Sequence, residues 1–154
     1  RSTLFPYTTL FRSSYNYMDE ESTIWWLVPD ANGNMKVGGH LDQPVSDLCI
    51  VGDSLYFYGS QWSEVTMTNT VTYGIINVRT HQIVSTSLSD APEISKIRMP
   101  YGIIVNAIHR DFYLMDAKNY VSSGELLHFL PDGTFDWKVK TGDIPAHAAW
   151  RFAK

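Results

Sequence analysis

Five histidines are the most versatile proton-transfer groups in this 154-residue chain, so their spacing limits the chemistry open to it. His40, His81, His109, His128 and His147 fall in separate segments. None forms the paired helical spacing of a zinc protease, and no paired cysteines or calcium-loop pattern supplies another ligand set. A nucleophile elbow, a phosphate-binding loop and a dinucleotide-binding glycine pattern are also missing. His109 and Asp111 share a turn that is open to a metal but reads more simply as surface. The acidic run Asp19-Glu20-Glu21 reads as a solvated loop, with Ca²⁺ binding as its remoter alternative. Cys49 stands alone inside Leu48-Cys49-Ile50-Val51, as an inert buried thiol would. No cofactor is expected.

Two other stretches suit binding better than catalysis. Trp62, in Gly59-Ser60-Gln61-Trp62-Ser63, offers an aromatic face for a planar or sugar ligand, and would equally well plug a gap between sheets. Asp116, Lys118, Asn119 and Tyr120 can hydrogen-bond a ligand; their blander reading is a turn-capping Asp beside a solvated Lys.

The elements that must position these residues are strands. Thr134 to Lys140 alternates, with Phe135, Trp137 and Val139 on one face and Asp136, Lys138 and Lys140 on the other. Pro131-Asp132-Gly133 before it is a hairpin turn. Leu55 to Tyr58 follows Asp53-Ser54, and Phe112 to Met115 follows Arg110-Asp111.

These signals recur at long range. Pro44 and Pro100 each precede an apolar run, Tyr56 and Tyr113 fall in the strands that follow, and Pro29-Asp30 returns as Pro131-Asp132, 102 positions on. A unit of roughly 50 to 57 residues with four strands is the pattern of a β-propeller blade. The expected fold class is therefore all-β, a fragment of a β-propeller with about two complete four-stranded blades and partial blades at each end. The first blade would use 47–51, 54–59, 72–78 and 82–87, and the second 101–105, 111–116, 125–130 and 134–140. Residues 14 to 37 would hold outer strands of an earlier blade, and Ile144 to Trp150 would begin another, in preference to a helix. A β-sandwich shares the short strands but does not predict the long period. A truncated ring would expose Ile24, Trp26, Ala148 and Trp150 on its end faces and favour association.

Loop lengths are unequal. Gly59 to Val71, Asp116 to Gly124 and Leu88 to Met99 are long, and alternating strand direction puts all three at one end. That end, with Trp62, Lys118, Asn119, Tyr120 and the turn at Asp143, is the candidate binding face. An innermost strand through His147 would bring its imidazole near the central axis.

Composition narrows the partners. Hydrophobic residues make up 44% and charged residues 18%, which suits a globular core and excludes disorder. The net charge of -4 supplies no basic footprint for nucleic acid. No apolar run is long enough to span a membrane as a helix, and no signal peptide is visible. Residues 1–13 stand apart from 14–154: Thr3 to Ser13 resembles the conceptual translation of a common sequencing adapter, so this segment is set aside as non-native and the true N-terminus is expected to be missing.

Met99 to Trp150, with Pro100-Tyr101-Gly102, Asp116 to Tyr120 and Thr141 to His147 as its most telling pieces, resembles the C-terminal blades of YncE-like β-propeller proteins of Bacteroidetes. The resemblance implies an exported propeller, at the extracellular face of the outer membrane or in the periplasm, held to the membrane only through a lipid anchor in the missing region. It also implies a small-molecule ligand, a corrinoid among them, or a surface partner such as a TonB-dependent transporter. The leading expectation is a non-enzymatic binding propeller using Trp62, Asp116, Lys118, Asn119, Tyr120 and His147. The alternatives are a lyase or hydrolase acting on a carbohydrate or lactone with His147 near the axis, and a purely structural scaffold.

Overall fold

The computed structural model describes residues 10–14, 23–63, 65 and 67–151, so the acidic run at 19–21 lies outside the described residues. The chain forms two compact units, 1–45 and 46–154.

The first unit holds a three-stranded antiparallel sheet in which β1 (Leu10–Ser14), β2 (Thr23–Pro29) and β3 (Met35–Leu41) pair in chain order. β1 runs through residues 10–13, which the sequence reading set aside. A sheet edge asks of its partner an extended backbone rather than particular side chains. Trp26 covers Gly38 and Gly39 so closely that a Cβ on Gly39 would overlap the indole ring. Ile24, expected on an exposed end face, is fully buried.

The second unit holds two four-stranded antiparallel meanders. The first comprises β4 (Asp47–Val51), β5 (Ser54–Ser63), β6 (Thr68–Asn77) and β7 (Gln82–Ser85). The second comprises β8 (Pro100–Val105), β9 (Phe112–Asp116), β10 (Glu125–Phe129) and β11 (Phe135–Lys140). Each expected strand of the two repeats is present to within a few residues, apart from the outward extension of β5 and β6. That extension replaces the expected loop from Gly59 to Val71 by a ladder running to Ser63 and Thr68. The alternating Thr68, Thr70 and Thr72, β-branched and suited to pleated backbone, carry it.

β4 and β8, the first strand of each meander, pack beside one another. Asp47 and Ile103 join them, the Ile103 amide donating to Asp47 Oδ2 at 3.3 Å. The core lies between the sheets and includes Tyr58, Ile103, Leu114 and Leu127, with Phe112 and Phe129 stacked at 5.0 Å. In the loop from Leu88 to Met99, Pro92 starts a single helical turn, α1 (Pro92–Ser95), which buries Ile94.

Side-chain caps fix the turns. Asp30 Oδ1 accepts the amides of Asn32 and Asn34, Asn77 Oδ1 those of Arg79 and Thr80, and Asn106 Oδ1 those of Ile108 and His109. The turns through Gly33 and Gly133 are alike: each glycine has positive φ, and backbone bonds close Asp30 to Asn34 and Leu130 to Thr134. The structural repeat between them is thus 100 residues, so the sequence alignment on the two Pro-Asp pairs was out of step by two.

The segment after β11 corrects another expectation. Residues 141–151 form neither strand nor helix. Pro145 has no amide to give to a ladder, and Ile144 before it holds a positive φ of 52°, which breaks both periodicities. The segment packs closely by side chain and carbonyl instead. Ala146 O lies where a Cβ on Gly102 would stand, Pro145 covers Gly124, and Trp150 Nε1 donates to Val105 O at 3.2 Å.

Candidate functional site

In the second unit β4 and β8 begin and β9 ends at one edge, because neighbouring strands run antiparallel, while β5 and β6 run on past it to Ser63 and Thr68. Side chains from that edge converge. Asp47 opposes Tyr58 across β4 and β5, and Tyr58 opposes Tyr73 across β5 and β6, giving one cross-strand row. Tyr101, the second residue of β8, meets Tyr120 edge-to-face, ring centroids 5.6 Å apart. His147 is close enough to Asp47 to act on its charge, and Tyr101 and Tyr120 are close enough to act on Tyr58.

Burial sets the electrostatics of this cluster. It raises the Asp47 carboxyl above the usual carboxylate range, against the pull of the Leu48 and Ile103 amides and of His147. It also raises the Tyr58 and Tyr73 phenols, with Asp47 and Asp116 respectively adding to the effect. Both therefore remain neutral hydroxyls at physiological pH. The Tyr73 hydroxyl is buried with no hydrogen-bond partner among the described residues, and an unmade hydrogen bond of this kind costs about 1–3 kcal/mol. The cluster offers hydroxyl donors, aromatic edges, one carboxylate and one imidazole, a set that suits a neutral, polar ring.

The sequence candidates divide. Tyr120 and His147 belong to this cluster. Asp116 is a turn cap, 4% exposed, whose Oδ1 accepts the Met99 amide at 3.1 Å and the Lys118 amide at 2.8 Å. Asn119 likewise accepts the amides of Val121 and Ser122. Lys118 is more than a solvated lysine: its Nζ lies 3.0 Å from Glu125 Oε1, while Lys138 takes Oε2 at 3.2 Å. Trp62 stands on the β5 extension, 60% exposed, opposite Asn69. Asn69 ties that extension down by donating to Ser60 Oγ at 2.6 Å and Arg98 O at 3.2 Å.

Sequence reasoning missed a second constellation. A bulge between His128 and Phe129 puts Asp136 beside His128, Nδ1 to Oδ2 at 2.9 Å, while His128 Nε2 lies 3.0 Å from Asp111 Oδ2. Asp111, read as a surface turn residue, is therefore buried, and its Oδ1 has no hydrogen-bond partner among the described residues. Tyr113 and Trp137, the cross-strand neighbours of His128, hold its ring at centroid distances of 4.4 and 5.0 Å. Both imidazole nitrogens face carboxylates, which suits a structural clasp better than a proton shuttle. His109, by contrast, is exposed. Only the strict alternation around Trp137 hinted at this row, and nothing in the spacing announced the bulge.

Among the described residues no cluster of three His, Cys, Asp or Glu is arranged to hold a metal, and no helix is long and apolar enough to cross a membrane. Burial raises the Cys49 thiol above its ordinary value, the opposite of an activated nucleophile. No protein-family model matches the chain, and no curated protein is detectably similar to it.

Proposed function

We propose that this protein is a non-enzymatic β-propeller that binds a small polar ligand at the edge where Asp47, Tyr58, Tyr73, Tyr101, Tyr120 and His147 meet. One observation carries the reading: four tyrosines, a half-buried carboxyl and an imidazole from six segments converge on one edge of the second unit. The propeller reading is supported by two successive four-stranded meanders whose first strands lie side by side, as inner strands do around an axis. Ligand and location follow the resemblance to YncE-like propellers: a corrinoid or a glycan, bound at the outer-membrane surface or in the periplasm, with a TonB-dependent transporter as the protein partner. Calorimetric titration with cobalamin and with neutral oligosaccharides tests the site. Saturable binding of either is expected, and heats no larger than dilution for both would count against it.

A second reading rests on His147, whose charge reaches the Asp47 carboxyl without an ion pair between them, as a lone imidazole acid–base group. It predicts lyase or hydrolase activity on a carbohydrate or lactone that His147→Ala abolishes. Activity that survives this change would remove it.

A further inference from the structure

α1 and the second meander line a half-open cavity of about 200 Å³ that the tyrosine cluster does not use. Its apolar wall is Ile97, Leu127 and Phe135, and its charged wall is Glu93 and Lys96 from the α1 segment with Asp116, Glu125 and Lys138 from the sheet. The volume is below the roughly 300–1,000 Å³ of sites for drug-sized ligands, which restricts an occupant to a few heavy atoms around a short side chain.

The charges within it are unevenly matched. Glu125 is neutralised by Lys118 and Lys138, one on each oxygen. Glu93 is held by Lys96 at 3.5 Å. Asp116 is the exception: both of its hydrogen bonds fall on Oδ1 and come from backbone amides, and among the described residues no cationic side chain pairs with it. The cavity therefore keeps one buried carboxylate with capacity for a cation. Lys96 and Lys138, with side chains 70% and 51% exposed, stand at the same cavity; their ion pairs with Glu93 and Glu125 are solvent-screened and can yield to an anion, and Lys118 still holds Glu125 when Lys138 turns away.

We infer that this cavity binds a free amino acid with a short apolar side chain, its ammonium on Asp116, its carboxylate between Lys96 and Lys138, and its side chain against Ile97, Leu127 and Phe135. A charge-assisted hydrogen bond contributes about 1.5–3 kcal/mol, so losing either ionic contact should cost roughly tenfold or more in affinity.

Three probes separate the contacts: L-leucine, isopentylamine, which lacks the carboxylate, and 4-methylpentanoate, which lacks the amine. Titrated into the full chain and followed by amide and methyl NMR shifts, leucine should bind most tightly and shift Leu127 and Ile97. Isopentylamine should bind roughly tenfold more weakly, and 4-methylpentanoate more weakly still. Asp116→Asn, which keeps the acceptor for the Met99 and Lys118 amides, should reduce leucine affinity at least tenfold with the melting temperature little changed. Lys138→Gln should weaken leucine while leaving isopentylamine unaffected. Leucine binding that persists in a folded Asp116→Asn variant, equal affinity for leucine and either single-charge analogue, or no shifts at millimolar leucine would each overturn the assignment. Shifts confined to Tyr101, Tyr120 and His147 would place leucine at the tyrosine cluster instead and overturn it equally.

Discussion

Arg110 donates from Nη1 to the carbonyl of Val51 at 2.7 Å, joining the turn between β8 and β9 to the end of β4. The same guanidinium covers Gly52, where a Cβ would stand 2.8 Å from Nη2. Gly52 has a φ of 60°, so an L side chain there meets backbone strain as well as the guanidinium. Gly52→Ala should cost about 1–2 kcal/mol and loosen this tie between the two meanders. Urea unfolding of Gly52→Ala and Arg110→Ala should show a lowered midpoint in both. A wild-type midpoint in Gly52→Ala would mean that the turn tolerates a side chain.

His128 is 7% exposed, between the carboxylates of Asp111 and Asp136. His128→Ala should destabilise the second unit by about 3 kcal/mol, because it leaves two acids close together around an empty space. His128→Gln, which keeps one donor, should cost less. Equal midpoints for the two variants would show that the retained donor contributes nothing and would contradict the clasp.

Burial of Asp47 raises its carboxyl in the folded chain above the ordinary 3.8. The folded state therefore holds this proton more tightly than the unfolded state. Its contribution to stability is fully present below 3.8 and is lost as pH rises through the raised folded value. Asp47→Asn, which resembles the protonated form, should be more stable relative to wild type at pH 7 than at pH 3. A stability difference independent of pH would show that Asp47 titrates normally.

Glu125 carries the opposite sign. Burial alone would raise its carboxyl, but Lys118 and Lys138 together outweigh burial and hold it below the ordinary 4.5. The stability it lends is present above 4.5 and fades as pH falls through the lower folded value. Acid unfolding of Glu125→Gln should have a shallower pH dependence below 4.5 than wild type, and superimposable curves would contradict the clasp.

Much of this architecture is legible in the residues. The alternation from Phe135 to Lys140, the Pro131-Asp132-Gly133 turn and the recurrence of Tyr56 at Tyr113 are local or periodic signals, and the strands follow them. The site was half legible. Unequal loops pointed to the edge where Tyr120 and His147 lie, but Asp47, Tyr58 and Tyr73 look like ordinary strand residues until three strands are set in register. The His128 clasp depends on a one-residue bulge, and a bulge moves a side chain to a new neighbour without altering the composition around it. The path of residues 141–151 depends on the fit of Ala146 and Pro145 over Gly102 and Gly124, which is packing rather than periodicity.

The central claim is that the tyrosine edge is a ligand site, and calorimetry on two exposed aromatic residues tests it most directly. Tyr120 is paired edge-on with Tyr101 inside the cluster, while Trp62 stands on the strand extension beyond the Tyr58–Tyr73 row. For whichever of cobalamin or neutral oligosaccharide binds the wild type, Tyr120→Ala should weaken affinity roughly tenfold, because a buried aromatic contact contributes about 0.5–1.5 kcal/mol beyond its area. Trp62→Ala should weaken it by a smaller factor, with melting temperatures unchanged in both variants. Wild-type affinity in both would contradict the account and remove this edge as the binding site.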